Sequence, residues 1–270
     1  MGDEHGSPPL GALITPRSGG RRVLFLFSGP ASRSDGLAAE LLRLAGISTD
    51  EADILNEHLD DQDILDDAVW GRVRQRLAAD VYGHVFASPP CRTFSELRGF
   101  GPGPVILRDW DYPYGFPKSH GRSRGLDHKD FELIRTDNLL AERTAEACSL
   151  VYSLGGSYGV EQPFPWKGSV HMFVFASFKE LVGQGARLTI FDQCRYGADV
   201  KKPTQILFNG LDLSSLDLNC NHDYAHRSYA GVRDNRTGKF ASSALSAYPA
   251  VLNTQLAKLI VQGWGASPDS

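Results

Sequence analysis

Cysteine is scarce in this chain: four residues (Cys91, Cys148, Cys194 and Cys220) among 270. That density excludes a disulfide-built scaffold and leaves each thiol to serve as a nucleophile, a ligand or a core residue. A surplus of positive charge is missing too. Lys and Arg total 28 against 32 Asp and Glu, a net charge of −4, so a nucleic-acid partner must be met by local clusters rather than by the field of the whole chain. Long hydrophobic runs are absent. The longest, Val23 to Phe27, is strand-sized and far short of the roughly 18 to 20 residues of a membrane span. Around Asp3, Glu4 and His5 there is no apolar stretch of the signal-peptide kind, so the expected setting is intracellular: nuclear in a eukaryotic cell, otherwise cytoplasmic.

What is present suits one large globular domain. Hydrophobic residues make up 41% and charged residues 22%, an ordinary balance for a chain that buries a core. Residues 1–22, rich in Gly, Pro and Ser, read as a disordered lead, 23–264 as the folded domain and 265–270 as a disordered tail. Inside the domain, strand patterns alternate with helix patterns. Strands are predicted at 23–27, 52–56, 81–87, around 159–161, and at 186–191, 205–208 and 216–218. Helices are predicted at 36–46, 66–79, 131–154, 171–182 and 248–261. Such alternation predicts an α/β fold with a mostly parallel sheet, in which ligands sit beyond the carboxyl ends of the strands.

Three segments that directly follow predicted strands carry candidate chemistry, at 28–36, 88–95 and 161–166. In Ser88-Pro89-Pro90-Cys91-Arg92-Thr93-Phe94-Ser95 the two prolines remove two donors and fix the backbone, so the strand stops in a rigid turn that presents Cys91. A thiolate is the strongest nucleophile available near neutral pH for an uncharged electrophile. Carbon 6 of cytosine or uracil is a weak electrophile, and attack there turns carbon 5 into a nucleophile able to take a methyl group. A carboxyl group such as that of Glu161, set against ring nitrogen 3, would draw electrons from the ring during the attack.

The run from Ser88 to Ser95 resembles the catalytic motif of the DNA (cytosine-5) methyltransferases, typically Pro-Pro-Cys-Gln-x-Phe-Ser. The order of the other segments agrees with that family. Leu26-Phe27-Ser28-Gly29 with Gly36-Leu37 is similar to its first motif, which cradles S-adenosylmethionine. Asp53 or Asn56 falls where the family places a residue near the cofactor ribose or base. Val160-Glu161-Gln162-Pro163 is similar to its Glu-Asn-Pro/Val motif, Asp192-Gln193-Cys194-Arg195-Tyr196 stands where it carries Gln-x-Arg-x-Arg, and Tyr248-Pro249-Ala250-Val251-Leu252 resembles its final motif, which packs back on the cofactor pocket. The run Gln193 to Gly197, followed by Lys202-Pro203-Thr204, is closer to a compact subgroup of methyltransferase-like proteins from phages and eukaryotic mobile elements. The resemblance implies a Rossmann-like methyltransferase fold and S-adenosylmethionine as cofactor. It implies Cys91, Glu161, Arg195 and Gln193 as catalytic residues and Phe27, Ser28, Gly29, Gly36, Leu37, Asp53, Asn56 and Pro89 around the cofactor. The implied reaction is methylation of carbon 5 of cytosine in DNA.

The sequence departs from the family pattern at several places. Gly29 is followed by Pro30-Ala31-Ser32-Arg33-Ser34-Asp35 where the family has a Gly-rich loop, Arg92 replaces a Gln, and Gly197 replaces the last Arg of Gln-x-Arg-x-Arg. The segment 209–247, where the family carries its DNA-reading domain, is short. The long Gly- and Pro-rich stretch 99–130 is expected to compensate as a functional loop. Its Arg108, Lys118, Arg122, Arg124 and Lys129, with Arg92 and Ser95 before it, are placed to meet nucleic acid, and Trp110 and Tyr112 to stack on a base. Cys220, His222 and His226 offer three metal donors, one short of the usual four, with Cys194 available only through the fold. The reading taken for them is a polar loop without metal. Two other functions stand beside methylation of DNA: a catalytically degenerate methyltransferase-fold module that binds or regulates, and a pyrimidine-modifying enzyme acting on RNA or nucleotides.

Overall fold

The structure, a computed structural model, describes residues 22–28, 33–52, 63–95, 98, 104–165, 169–229, 232–233 and 247–264. The expected lead up to residue 21, the expected tail, and the candidate cofactor residues Gly29, Asp53 and Asn56 lie outside the described residues.

Six strands form one sheet: β1 (Arg22–Leu26), β2 (Ser48–Ala52), β3 (Tyr82–Ala87), β4 (Ser157–Pro163), β5 (Arg187–Asp192) and β6 (Pro203–Asn209). Their order across the sheet is β2-β1-β3-β4-β6-β5. The pairs β1–β2, β1–β3 and β3–β4 are parallel, and β6 runs antiparallel to both β4 and β5. Five strands therefore share one direction and the sixth is reversed. This is the α/β architecture with a mostly parallel sheet that the alternating pattern predicts, in the Rossmann-like form that the resemblance implies.

Both faces of the sheet are covered, which is why its inner strands read as unbroken apolar runs. Val23, Phe25 and Phe86 face α1 (Leu37–Ala45) and α5 (Ala250–Gly263), packing with Leu37, Leu41, Leu252 and Leu256. Leu24, Leu26, Val85 and Val160 face the other way, toward α2 (Asp67–Ala78), α3 (His128–Ser153) and α4 (Ala176–Gly183). Cys148, one of the four thiols, is fully buried in this second layer and is a packing residue. A groove bordered by Trp70, Glu142, Arg143, Glu146 and Glu180 runs between these three helices, and none of the candidate catalytic residues lines it.

Local chemistry sets the element boundaries. Asp66 caps α2 by accepting from the backbone N–H groups of Ala68 and Val69 at 2.7 and 3.0 Å, and Gly46 ends α1 in the left-handed conformation at φ 61°. A capping box between Asp127 and Asp130 starts α3 at His128, three residues before the predicted start. Strand β2 meets the predicted 52–56 only at Ala52, and 53–56 lie outside the described residues. Its polar sequence forms an edge strand because Asp50 gathers Arg22, Arg76 and Tyr82, the last at 2.8 Å. The predicted strand at 216–218 is corrected to a 3-10 turn at Ser214–Leu216, since Asp212 accepts from the backbone N–H of Ser214 at 3.0 Å and bends the chain there. The predicted helix 171–182 is split into a 3-10 turn at Met172–Val174 and α4, with extended Phe175 between them. Among the described residues no helix is long and apolar enough to cross a membrane.

Candidate active site

The two central parallel strands deliver the candidate chemistry to one place. Strand β3 ends at Ala87, which pairs with Val160 of β4, so Glu161 stands one residue beyond the last shared register position, where the Ser88-Pro89-Pro90-Cys91 turn leaves the sheet. The turn is fastened from three sides. The backbone N–H of Ser88 donates to the carbonyl of Leu26 at 3.1 Å. The buried side chain of Gln162 donates to the carbonyl of Pro89 at 2.7 Å. The backbone N–H of Phe94 closes onto the carbonyl of Cys91 at 3.0 Å.

Behind the turn, Asp137 of α3 holds the next two residues. Its carboxylate accepts from the Arg92 guanidinium at 2.6 Å, from the Thr93 backbone at 3.1 Å and from the Thr93 hydroxyl at 2.8 Å. Its side chain is fully buried, whereas that of Arg92 keeps 43% of its exposure. Asp137→Ala is expected to cost about 2–3 kcal/mol, somewhat less than breaking a fully buried ion pair because Arg92 can return to water. Urea unfolding at neutral pH measures this, and a loss under about 0.5 kcal/mol, the range of ordinary surface substitutions, would show that the Asp137 network does not hold the turn.

The thiol and the carboxyl group interact electrostatically. Burial pushes the Cys91 thiol up to about 11, with the neighbouring Glu161 adding to the shift and Lys202 opposing it. Burial likewise raises the Glu161 carboxyl, against the pull of Lys202 and of a hydrogen bond from Tyr248. Glu161 Oε1 is buried and has no hydrogen-bond partner. Such an orphan is costly unless a ligand completes it. Together these facts describe a pair that resists carrying two negative charges.

Two residues that the sequence did not single out as catalytic complete the site. Tyr248, just ahead of α5, hydrogen-bonds both Ser88 and Glu161 and is buried, which raises its hydroxyl well above the usual phenol range. Lys202, immediately before β6, has an ammonium group 5.9 Å from the centre of the Tyr248 ring and sits at the unusual φ of 37°. Its place in Lys202-Pro203-Thr204 was the available signal. Both come from elements remote in sequence, so spacing alone could not bring them to Cys91.

The candidate cofactor residues form a strand–turn–helix unit at the end of β1. Phe27 takes a left-handed conformation at φ 64° and is buried, half-buried Ser28 follows, Gly36 caps α1, and Leu37 is buried as its first residue. A Cβ on Gly36 would meet the carbonyl of Arg33 at 3.2 Å, a tight approach that favours glycine. The unit is tied to the Tyr248 side of the site. Arg33 donates to the carbonyl of Tyr248 at 3.4 Å, and Asn253 donates to the carbonyl of Asp35 at 2.7 Å. Pro89 is buried across from it in the turn.

Several other candidates are placed differently from expectation. Arg108 is 3% exposed and donates to Thr93, Pro113 and Asn138 at 2.7, 2.6 and 2.9 Å, with its guanidinium 3.9 Å from the Phe94 ring centre. It braces the turn from inside and is not presented to phosphate, which corrects the nucleic-acid role expected of it. Arg92 is turned to Asp137, and Ser95 is half-buried. Gln193 is buried and donates to the Thr204 hydroxyl at 3.0 Å. Arg195 donates to the carbonyl of Asn219 at 3.1 Å and to Asn221. Gln193 and Arg195 thus bind neighbouring chain segments at the β5–β6 end of the sheet. Arg122 is exposed and pairs with Asp109 at 2.9 Å, while Arg124 is exposed.

The described part of the expected long loop is packed down. Tyr114 stacks on Phe175 with ring centres 4.1 Å apart, its hydroxyl accepts from the backbone of Ala176 at 3.1 Å, and Phe116 is buried. Trp110 and Tyr112 remain exposed at 53% and 37%.

No family model matches the chain, and no curated protein matches it. Among solved structures it is similar to the S. pombe Dnmt2 methyltransferase, with 14% sequence identity and a TM-score of 0.36, over 81% of this chain and 58% of that one. The chain therefore spans less than two thirds of that protein. What it carries in its own right is a Rossmann-like sheet whose two central strands bring a thiol and a carboxyl group to one turn, where the approaches to α5 and β6 add a phenol and an ammonium group.

Proposed function

We propose that this protein methylates carbon 5 of cytosine in DNA, with S-adenosylmethionine as methyl donor and Cys91 as the nucleophile. The observation that carries the reading is the buried, unpartnered Oε1 of Glu161 beside the Cys91 turn. A carboxyl group with a raised proton affinity and a free oxygen is suited to donate a hydrogen bond to ring nitrogen 3 of a pyrimidine.

In this reading the base enters above the ends of β3 and β4. The Cys91 thiol gives up its proton to water and its sulfur forms a bond to carbon 6, while the Glu161 proton passes to nitrogen 3 so that the displaced electron pair is held in the neutral ring as an enamine. Carbon 5 is then the nucleophile. S-adenosylmethionine supplies an electrophilic methyl group, and Phe27, Ser28, Gly36 and Leu37, with Pro89 opposite, are the described residues that would hold it. After methylation, with the donor leaving as its neutral thioether, the carbon 5 proton would pass to water, the electron pair released would expel the Cys91 thiolate, and nitrogen 3 would return its proton to the Glu161 carboxylate to restore the ring. Tyr248 and Ser88 keep Glu161 oriented throughout. Lys202 supplies positive charge that favours thiolate formation. The target base must be outside the helical stack, with exposed Trp110 and Tyr112 available to stack and Arg122, Arg124, Lys118 and Lys129 available to phosphate.

The test is methyl incorporation from labelled S-adenosylmethionine into duplex DNA, RNA and free cytidine nucleotide, run side by side. Incorporation into DNA at carbon 5 is the expected result. Incorporation confined to RNA or nucleotide would reassign the substrate. No incorporation, together with no calorimetric binding of S-adenosylmethionine, would mark a methyltransferase-fold binding module.

A further inference from the structure

The fold completes a four-donor cluster that the sequence leaves one member short. Cys194 lies in the 3-10 turn Gln193–Tyr196 that follows β5 and is 6% exposed. Cys220, His222 and His226 come from an irregular segment beyond the 3-10 turn Ser214–Leu216. One ligating atom from each of the four falls within 4.8 Å of every other. Cys220 Sγ is 3.1 Å from His226 Nε2 and 3.5 Å from His222 Nδ1, and the two imidazole nitrogens are 3.4 Å apart.

These separations can be compared with a metal centre. Zinc binds thiolate at about 2.3 Å and imidazole at about 2.0–2.1 Å in a tetrahedron. The edges of such a tetrahedron are then about 3.3–3.8 Å. Two of the three separations, 3.4 and 3.5 Å, lie within that range, and the third, 3.1 Å, falls just below it. Without an ion, two imidazole nitrogens and a sulfur converge with only their shared protons to reconcile them. A bound cation would satisfy all of them at once.

The backbone around the cluster is already fixed. The Asp192 carboxylate accepts from the backbone N–H of Cys220 at 2.7 Å, and the Asp192 backbone donates to Leu218 at 3.0 Å. Arg195 holds Asn219 and Asn221. These contacts set the Cys220 segment against the end of β5 independently of the four donors, as the supporting contacts of a metal site do.

We infer that Cys194, Cys220, His222 and His226 bind one zinc ion in a closed structural site that clamps the segment 219–226 to the edge of the sheet. Two thiolates and two imidazoles form a donor set that suits zinc and disfavours magnesium or calcium. Four protein ligands leave no position for water, so the ion is structural and not catalytic. The clamp lies next to Gln193 and Arg195 and fastens part of the short insert that stands where a larger reading domain was expected. This assignment does not depend on methyl transfer.

The test uses the full chain with a tag free of histidine, purified from zinc-supplemented medium without chelator. Elemental analysis should find one zinc per chain, falling to background in Cys220→Ser and in His226→Ala, and staying at one in Cys148→Ser. Replacement by cobalt should give the visible absorption of a tetrahedral ion together with a thiolate-to-cobalt charge-transfer band. On the unmutated protein, alkylation of Cys194 and Cys220 should speed up at least roughly tenfold after chelation, because metal-bound thiolates are shielded from the reagent. This last arm does not rely on the variants folding. Folded protein with background metal after zinc reconstitution, a Cys194–Cys220 disulfide under reducing conditions, or cobalt binding without a thiolate band would each overturn the assignment.

Discussion

Cys91→Ser is expected to abolish methyl transfer, a loss of at least roughly 10⁴-fold, as removal of an essential nucleophile does. The fold should survive. Cys91 is not part of either packed core layer, serine matches it in size, and the turn is held by Gln162, Asp137 and Arg108 and not by the sulfur. The change in stability should stay within about 1 kcal/mol. Steady-state assay with circular dichroism melting separates the two effects. The reason for so large a loss lies in the site's electrostatics. Burial and Glu161 hold even the thiol up at about 11, and a serine hydroxyl is far less acidic than a thiol. In the unmutated protein, alkylation of Cys91 should keep rising about tenfold per pH unit from neutrality with no plateau until near 11, since only the thiolate reacts. A plateau near neutral pH would mean that the resting site already stabilises a thiolate, contrary to the arrangement described.

Glu161→Gln should lower methyl transfer by about 10²–10³-fold, the scale of a positioned general acid. The loss should fall mainly on kcat, because the amide can still hydrogen-bond a base but cannot deliver a proton to ring nitrogen 3. The same substitution should act oppositely on the thiol. Glu161 is the second contributor after burial to the raised Cys91 proton affinity, so in alkaline buffer, where Glu161 is ionised, Cys91 of the variant should alkylate faster than that of the parent. General unfolding would also slow catalysis and expose the thiol, so the combination counts only where alkylation of the buried Cys148 stays as slow as in the parent. Unchanged alkylation would show that the two side chains do not share a site.

The parts of the fold that were legible in the sequence are those whose signal is local. Val23 to Phe27 announces a strand buried on both faces, and the Pro89-Pro90 stop announces the turn that presents Cys91. The edge strand over 48–51 was not legible because Ser48-Thr49-Asp50 looks like a loop until Asp50 finds Arg22, Arg76 and Tyr82. The reversal of β6 was not legible, since strand direction depends on which neighbour it pairs with. The start of α3 was readable in Asp127 and Asp130 and was missed. In the site, Cys91 and Glu161 could be singled out because each follows a predicted strand. Tyr248 and Lys202 could not, because they arrive from distant elements. Arg108 shows the opposite failure: a charged residue in a Gly- and Pro-rich stretch looks solvent-facing, yet three internal acceptors draw it into the core. The four-donor cluster combines both cases, with three local donors visible in sequence and Cys194 supplied only by the packing of β5.

Capture of the covalent intermediate is the most direct measurement. Duplex DNA in which the target cytosine carries fluorine at carbon 5 cannot lose a proton there after methylation, so the thioether to carbon 6 should persist. Incubation with S-adenosylmethionine followed by denaturing electrophoresis and peptide mass spectrometry should reveal protein joined to DNA through Cys91, and no such species with Cys91→Ser. Methylation of ordinary cytosine without any trapped species, or a crosslink through Cys220 in place of Cys91, would contradict the account.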